Sequence, residues 1–90
     1  MINRAHVYYS GKVQGVGFRF TAESVAVELG LTGWVKNLHD GRVEVTCEGP
    51  EEKVKEFLCK INEIFKDYIR DADITWGGSS GEFDGFDITF

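Results

Sequence analysis

Three glycines and an arginine crowd into the run Gly11-Lys12-Val13-Gln14-Gly15-Val16-Gly17-Phe18-Arg19. Glycine lets a backbone turn tightly and approach a ligand closely. A loop of such amides that runs into a helix N-terminus forms an anion site before any side chain is counted. Arg19 adds a permanent cation whose planar fork of donors fits phosphate oxygens. The segment therefore reads as a phosphate cradle, with Val13, Gln14, Gly15, Val16, Gly17, Phe18 and Arg19 as the binding set. A cation in the first turn opposes the helix dipole, and a bound anion would offset that cost.

Asn37 is the second candidate. Asparagine takes up no proton at neutral pH, but it can hydrogen-bond and orient a water. The glycine run holds no Ser or Cys nucleophile, and the chain shows no metal cluster and no evident general base. Phosphoryl transfer can rest on positioning and electrostatic stabilisation alone. A site so sparse suits a good leaving group, such as the carboxylate of an acyl phosphate. The proton of the attacking water would then pass to a phosphate oxygen. On local evidence alone, Asn37 reads equally as turn chemistry before Asp40-Gly41. His39 shares its strand parity, yet a hairpin position makes it a solvent-exposed histidine. Lys12 and Lys36 fall near the cradle in this reading and can steer anions. Gln14 is structural or a minor ligand contact, His6 a surface-strand residue, and Trp34 and Trp76 are packing residues. Glu51, Glu52 and Glu56 form a solvated helix face.

The elements that position these groups follow from periodicity. Residues 5 to 10 alternate, with Ala5, Val7 and Tyr9 against His6, Tyr8 and Ser10, which predicts a half-buried strand. Phe18, Ala22, Val25, Ala26 and Leu29 fall on one helical stripe, stopped by Gly30. Thr32 to Leu38 and Arg42 to Glu48 read as strands joined by the Asp40-Gly41 hairpin. Gly49-Pro50-Glu51-Glu52 starts a second helix, with proline in the first turn and acids at the positive end of the dipole. Val54, Phe57, Leu58, Ile61 and Phe65 carry it to about residue 67. Ala72 to Trp76 is a fourth strand, residues 77 to 81 are a loop, and Phe86, Ile88 and Phe90 mark a final strand.

This order predicts an α+β, ferredoxin-like split βαβ sandwich (βαββαβ). Its antiparallel-rich mixed sheet carries two helices on one face, plus a short C-terminal strand. The first helix is a crossover, so the strands that it joins run parallel. The glycine loop and Asn37 then meet at one edge of the sheet. If Val35 faces the helices, Asn37 points toward the start of the first helix.

Ninety residues make a single domain, 1–90, with a modest core. The formal net charge of −5 disfavours nucleic acid, which attracts basic faces. No apolar run is long enough for a membrane helix, so no membrane partner is expected. Met1-Ile2-Asn3-Arg4 lacks the apolar stretch of a signal peptide, which points to the cytoplasm. Cys47 and Cys59 form no CxxC pair and read as two reduced, largely buried thiols.

The glycine run resembles the first signature of the acylphosphatases. Gly30-Leu31-Thr32-Gly33-Trp34-Val35-Lys36-Asn37-Leu38, continuing through Asp40-Gly41-Arg42-Val43-Glu44-Val45, resembles the second. The resemblance covers almost the whole chain. It implies metal-independent hydrolysis of acyl phosphates to carboxylate and phosphate, with no cofactor. It assigns phosphate binding to Arg19 and water positioning to Asn37, in a protein expected to be a monomer. His39 stands where proline is common. The ending Asp87-Ile88-Thr89-Phe90 differs from the basic residue and tyrosine of many relatives.

A non-catalytic anion-binding or regulatory module on this fold is the second reading, because the architecture hosts many functions. A third, an RNA-binding domain, is disfavoured by the acidic charge and by the expectation of a sheet face without paired stacking aromatics.

Overall fold

The computed structural model describes residues 2–90; Met1, part of the N-terminal reading above, lies outside them. Its elements run β1 (Ile2–Gly11), α1 (Phe18–Glu28), β2 (Thr32–Asn37), β3 (Val43–Pro50), α2 (Glu51–Ile64), β4 (Ile69–Gly78) and β5 (Phe86–Thr89). The strands form one sheet in the order β4-β1-β3-β2-β5. The predicted ferredoxin-like sandwich is the fold observed.

Alternation decides which way the sheet faces. Ala5, Val7, Tyr9, Val35, Val43, Val45 and Cys47 are fully buried beneath the helices. They meet Ala22 and Ala26 of α1 and Val54, Phe57, Leu58 and Ile61 of α2. The α2 stripe is buried as its spacing predicts, whereas Val25 and Leu29 of α1 are only partly covered. β1 and β2 both pair antiparallel with β3, which makes them parallel to each other. Tyr9, Val43 and Asn37 form one cross-strand row. The C-terminal ends of β1 and β2 therefore share an edge of the sheet.

Two strands are longer than their apolar alternation. β1 runs over residues 2–11 because β3 and β4 flank it on both sides and supply ladder bonds to its polar ends. β4 takes in Arg70, Asp71 and the Gly77-Gly78 pair expected in a loop. An edge strand has one free side and tolerates residues that a central strand rejects. α2 ends earlier than predicted, at Ile64, and Phe65 is its C-cap. Phe90 lies beyond the end of β5.

A strap of residues 79–85 carries the chain from β4 to the opposite edge. It crosses the sheet face away from the helices and is fastened to Glu48. The Glu48 carboxylate accepts from Ser79 Oγ at 2.8 Å, Ser80 N at 3.0 Å, Ser80 Oγ at 2.9 Å and Gly81 N at 3.2 Å. Arg4 Nε adds a charge-assisted bond at 2.8 Å. Burial would raise the carboxyl pKa, but these donors outweigh it and hold the group near 2.

The structure corrects three expectations, on the tryptophans, the aromatics of the open sheet face and the cysteines. Trp34 is half-buried on the open face, and Trp76, on the helix-facing side of edge strand β4, is 43% exposed. Tyr8, His6 and Trp34 stand together on the open face. It thus carries aromatics after all, although Arg42 lies over Tyr8 at 4.7 Å and Lys36 over Trp34 at 5.9 Å. Cys47 is buried, its thiol pushed by burial up to about 12, but Cys59 is exposed, contrary to the reading of two buried thiols.

Candidate active site

The glycine loop leaves β1 at a constriction. Gly11, at φ +123°, passes so close to the start of β4 that a Cβ would strike the Tyr68 carbonyl oxygen. Lys12 N donates to that same oxygen at 2.9 Å. The loop then re-enters the helix layer through Gly15 at φ +78° and Gly17 at φ +80°. Gly17 is the N-cap of α1, with φ 80° and ψ 17°, and no side chain caps the helix. This left-handed conformation is one that glycine adopts without strain.

The first amides of a helix have no intrahelical acceptor. At α2 the acids Glu51 and Glu52 sit in the first turn and complement the dipole. The first turn of α1 holds no acid and carries Arg19 instead. The local field at the start of α1 is therefore positive from both backbone and side chain.

A cavity of about 200 Å³ opens at this point. It is lined by Val13, Gly15, Gly17, Phe18 and Arg19 of the loop and helix start, by Phe20, and by Asn37 from the end of β2. Arg19 and Asn37 are 18 positions apart in sequence, and the parallel relation of β1 and β2 brings them into one hollow. Asn37 Oδ1 is buried and has no hydrogen-bond partner among the described residues. A buried polar atom left unsatisfied calls for an explanation.

Two of the seven residues expected to bind substrate line other surroundings. Gln14 turns its side chain away and donates through Nε2 to Leu38 O at 2.7 Å and Arg42 O at 3.0 Å. Val16 packs against the hydrophobic core. Of the three cations expected near the cradle, only Arg19 lines the cavity. Lys36 alternates with Asn37 and so lies on the open face over Trp34. Lys12 borders a separate hollow with Asp67, Tyr68 and Arg70. His39 is exposed in the hairpin turn.

Phe20 is the cavity residue that the periodic reading missed. Its signal was present: a large apolar residue that falls off the buried stripe of α1. Roomier hollows exist elsewhere, including one of about 430 Å³ beside Trp34 and Phe83. The hollow at Arg19 is smaller, but it is the one that adjoins free helix amides, a guanidinium and an unsatisfied side-chain oxygen. No three His, Cys, Asp or Glu side chains gather as a metal-ligand group among the described residues. Among the described residues no helix is long and apolar enough to cross a membrane.

The Acylphosphatase family model matches residues 5–88. An acylphosphatase of Roseiflexus sp. is 42% identical over 87 residues, which span 94% of this chain and 92% of that one. One of Pelotomaculum thermopropionicum is 42% identical over 89 residues, 97% and 96% of the two chains. The crystal structure of acylphosphatase from Bacillus subtilis superposes with a TM-score of 0.89 at 33% identity and covers 100% of both chains.

Proposed function

Because this chain belongs to the acylphosphatase family, we propose that it hydrolyses the carboxyl–phosphate bond of acyl phosphates in the cavity between Arg19 and Asn37. The single observation that carries this reading is that hollow itself. A cation, free helix amides and an unsatisfied side-chain oxygen border one space of about 200 Å³.

The phosphoryl oxygens are held by the Arg19 guanidinium and by amides of the 13–19 loop. Fixed donors of this kind neutralise charge where it develops and need no reorganisation during the reaction. Asn37 Oδ1 accepts a hydrogen bond from the attacking water and aims its lone pair at phosphorus. The new P–O bond forms as the P–O bond to the acyl group breaks, and the carboxylate departs with the bonding electrons. The proton of the water passes to a phosphate oxygen. A carboxylate leaves without protonation, so no general acid is needed. The positive charge comes from the protein, and the reaction proceeds without metal or cofactor.

The proposal also holds that residues 1–90 form one domain that acts as a monomer in the cytoplasm, on a small-molecule substrate rather than on nucleic acid or membrane. The test is hydrolysis of a simple aryl acyl phosphate by purified protein in excess chelator. Turnover that persists supports a metal-free hydrolase. Saturable phosphate binding with no turnover favours an anion-binding module instead.

A further inference from the structure

Phe20 and Phe90 are among the most exposed large apolar residues of the chain, at 72% and 93%. Neither ring closes the core, and both adjoin the arginine of the cradle. Phe20 follows Arg19 in α1 and lines the same cavity as Arg19 and Asn37. Phe90 reaches this place by strand register. β5 runs parallel to β2, with Ile88 opposite Val35 and Thr89 opposite Lys36. Asn37, the last residue of β2, and Phe90, just past the end of β5, follow these partners, so both fall at the same edge of the sheet. The Phe90 ring centroid lies 5.2 Å from Arg19 Cζ, a cation–π distance.

We propose that Phe20 and Phe90 form an aromatic rim that receives the acyl half of the substrate and selects acyl phosphates with an aromatic or similarly broad apolar acyl group. This rests on the hydrolytic reading of the cavity for its substrate. The occupant is set by continuity with the site. A phosphoryl group seated on Arg19 and the loop amides is attacked in line, so its acyl substituent lies opposite the water and extends toward the mouth. There it meets the rings. An aryl group laid against them leaves water and gains offset or edge-on aromatic contacts. A methyl group is too small to cover both.

The experiment compares benzylphosphonate with methylphosphonate by calorimetry, since both present the same anionic head to the cradle. The wild type is expected to bind the benzyl compound about tenfold more tightly, in keeping with one buried apolar group. In a Phe20→Ala/Phe90→Ala double variant, whose rings leave no cavity in the core, that ratio falls to within about twofold of one. Equal affinities in the wild type, an unchanged ratio in the double variant, or no binding of either phosphonate would each overturn the rim. Acetyl phosphate turnover, measured alongside, keeps the two readings apart. Its absence together with benzyl discrimination removes the hydrolase and leaves the rim. Turnover without discrimination removes the rim alone.

Discussion

The side-chain amide of Gln14 lies 2.7 Å from the carbonyl oxygen of Leu38, the residue that follows Asn37. A second bond from the same nitrogen reaches Arg42 O at 3.0 Å. The cradle loop and the hairpin that presents Asn37 are thus tied by one side chain. Arg19 and Asn37 sit on elements that share no direct ladder, so under the proposed mechanism this tie would help to set the distance between phosphate and water. Gln14→Leu removes one of two donors from each carbonyl, Leu38 O keeping Gly41 N and Arg42 O keeping Leu38 N. It is expected to destabilise the fold by about 1–2 kcal/mol. Turnover should fall about tenfold as the water loses its aim. Thermal melting and steady-state kinetics read the two effects, and unchanged turnover would remove the positioning role.

Under the proposed mechanism, Arg19 and Asn37 should act on different quantities. Arg19→Gln removes a charge-assisted donor and should weaken phosphate binding about 30- to 100-fold, with turnover lost as well. Asn37→Ala removes the water contact and should lower kcat about 100-fold while phosphate affinity holds. Equal losses of affinity in both variants would contradict this division of labour.

His39 offers a control on the proton. It is exposed in the turn and outside the lining of the cavity. If the water's proton passes to a phosphate oxygen, His39→Ala keeps kcat within about twofold of wild type. A large loss in a folded variant would make His39 the proton acceptor and rewrite that step.

Most of the site's framework was legible in the sequence, and the exceptions have physical causes. The buried stripe of α2 and the parallel relation of β1 and β2 follow from periodicity and crossover topology. These put Asn37 at the edge where the glycine loop emerges. The destinations of Gln14 and Lys36 were not legible. Gln14 is captured by two hairpin carbonyls that are remote in sequence, and strand alternation turns Lys36 to the face opposite Asn37. Phe90 was read as part of the last strand. Only the parallel register of β5 on β2, a pairing without local signal, brings it over Arg19. The polar half of β4 was missed because ladder bonds to β1 override weak strand propensity.

Glu48 should govern the acid limb of stability. Its carboxyl is held at about 2 against a usual 4.5, so it binds fewer protons folded than unfolded in the interval between. The contribution is present in full above about 4.5 and is lost as pH falls toward 2. Glu48→Gln should cost about 2 kcal/mol at neutral pH. The wild-type melting temperature should drop more steeply than that of the variant across the interval. Parallel curves would show that the strap is held by something other than this carboxylate.

Gly11 tests the constriction at the head of the loop. Gly11→Ala forces a Cβ toward the Tyr68 carbonyl and strains a positive φ. A loss of about 3 kcal/mol is expected. Gly17, also at positive φ, has open space where a Cβ would stand. Gly17→Ala should therefore cost only about 1 kcal/mol of stability, read by the same denaturation experiment. A larger penalty at Gly17 than at Gly11 would contradict this account.

The parallel pairing of β5 on β2 also bears on how the chain reaches this state. Before residues 86–89 dock, β2 is an open edge with a row of unsatisfied backbone groups, close to the hollow that Asn37 lines. Such an edge invites pairing with another chain. During synthesis it stays open until more than forty positions beyond Asn37 have been added. The short parallel strand that completes the sheet thus covers this edge and removes that template for pairing.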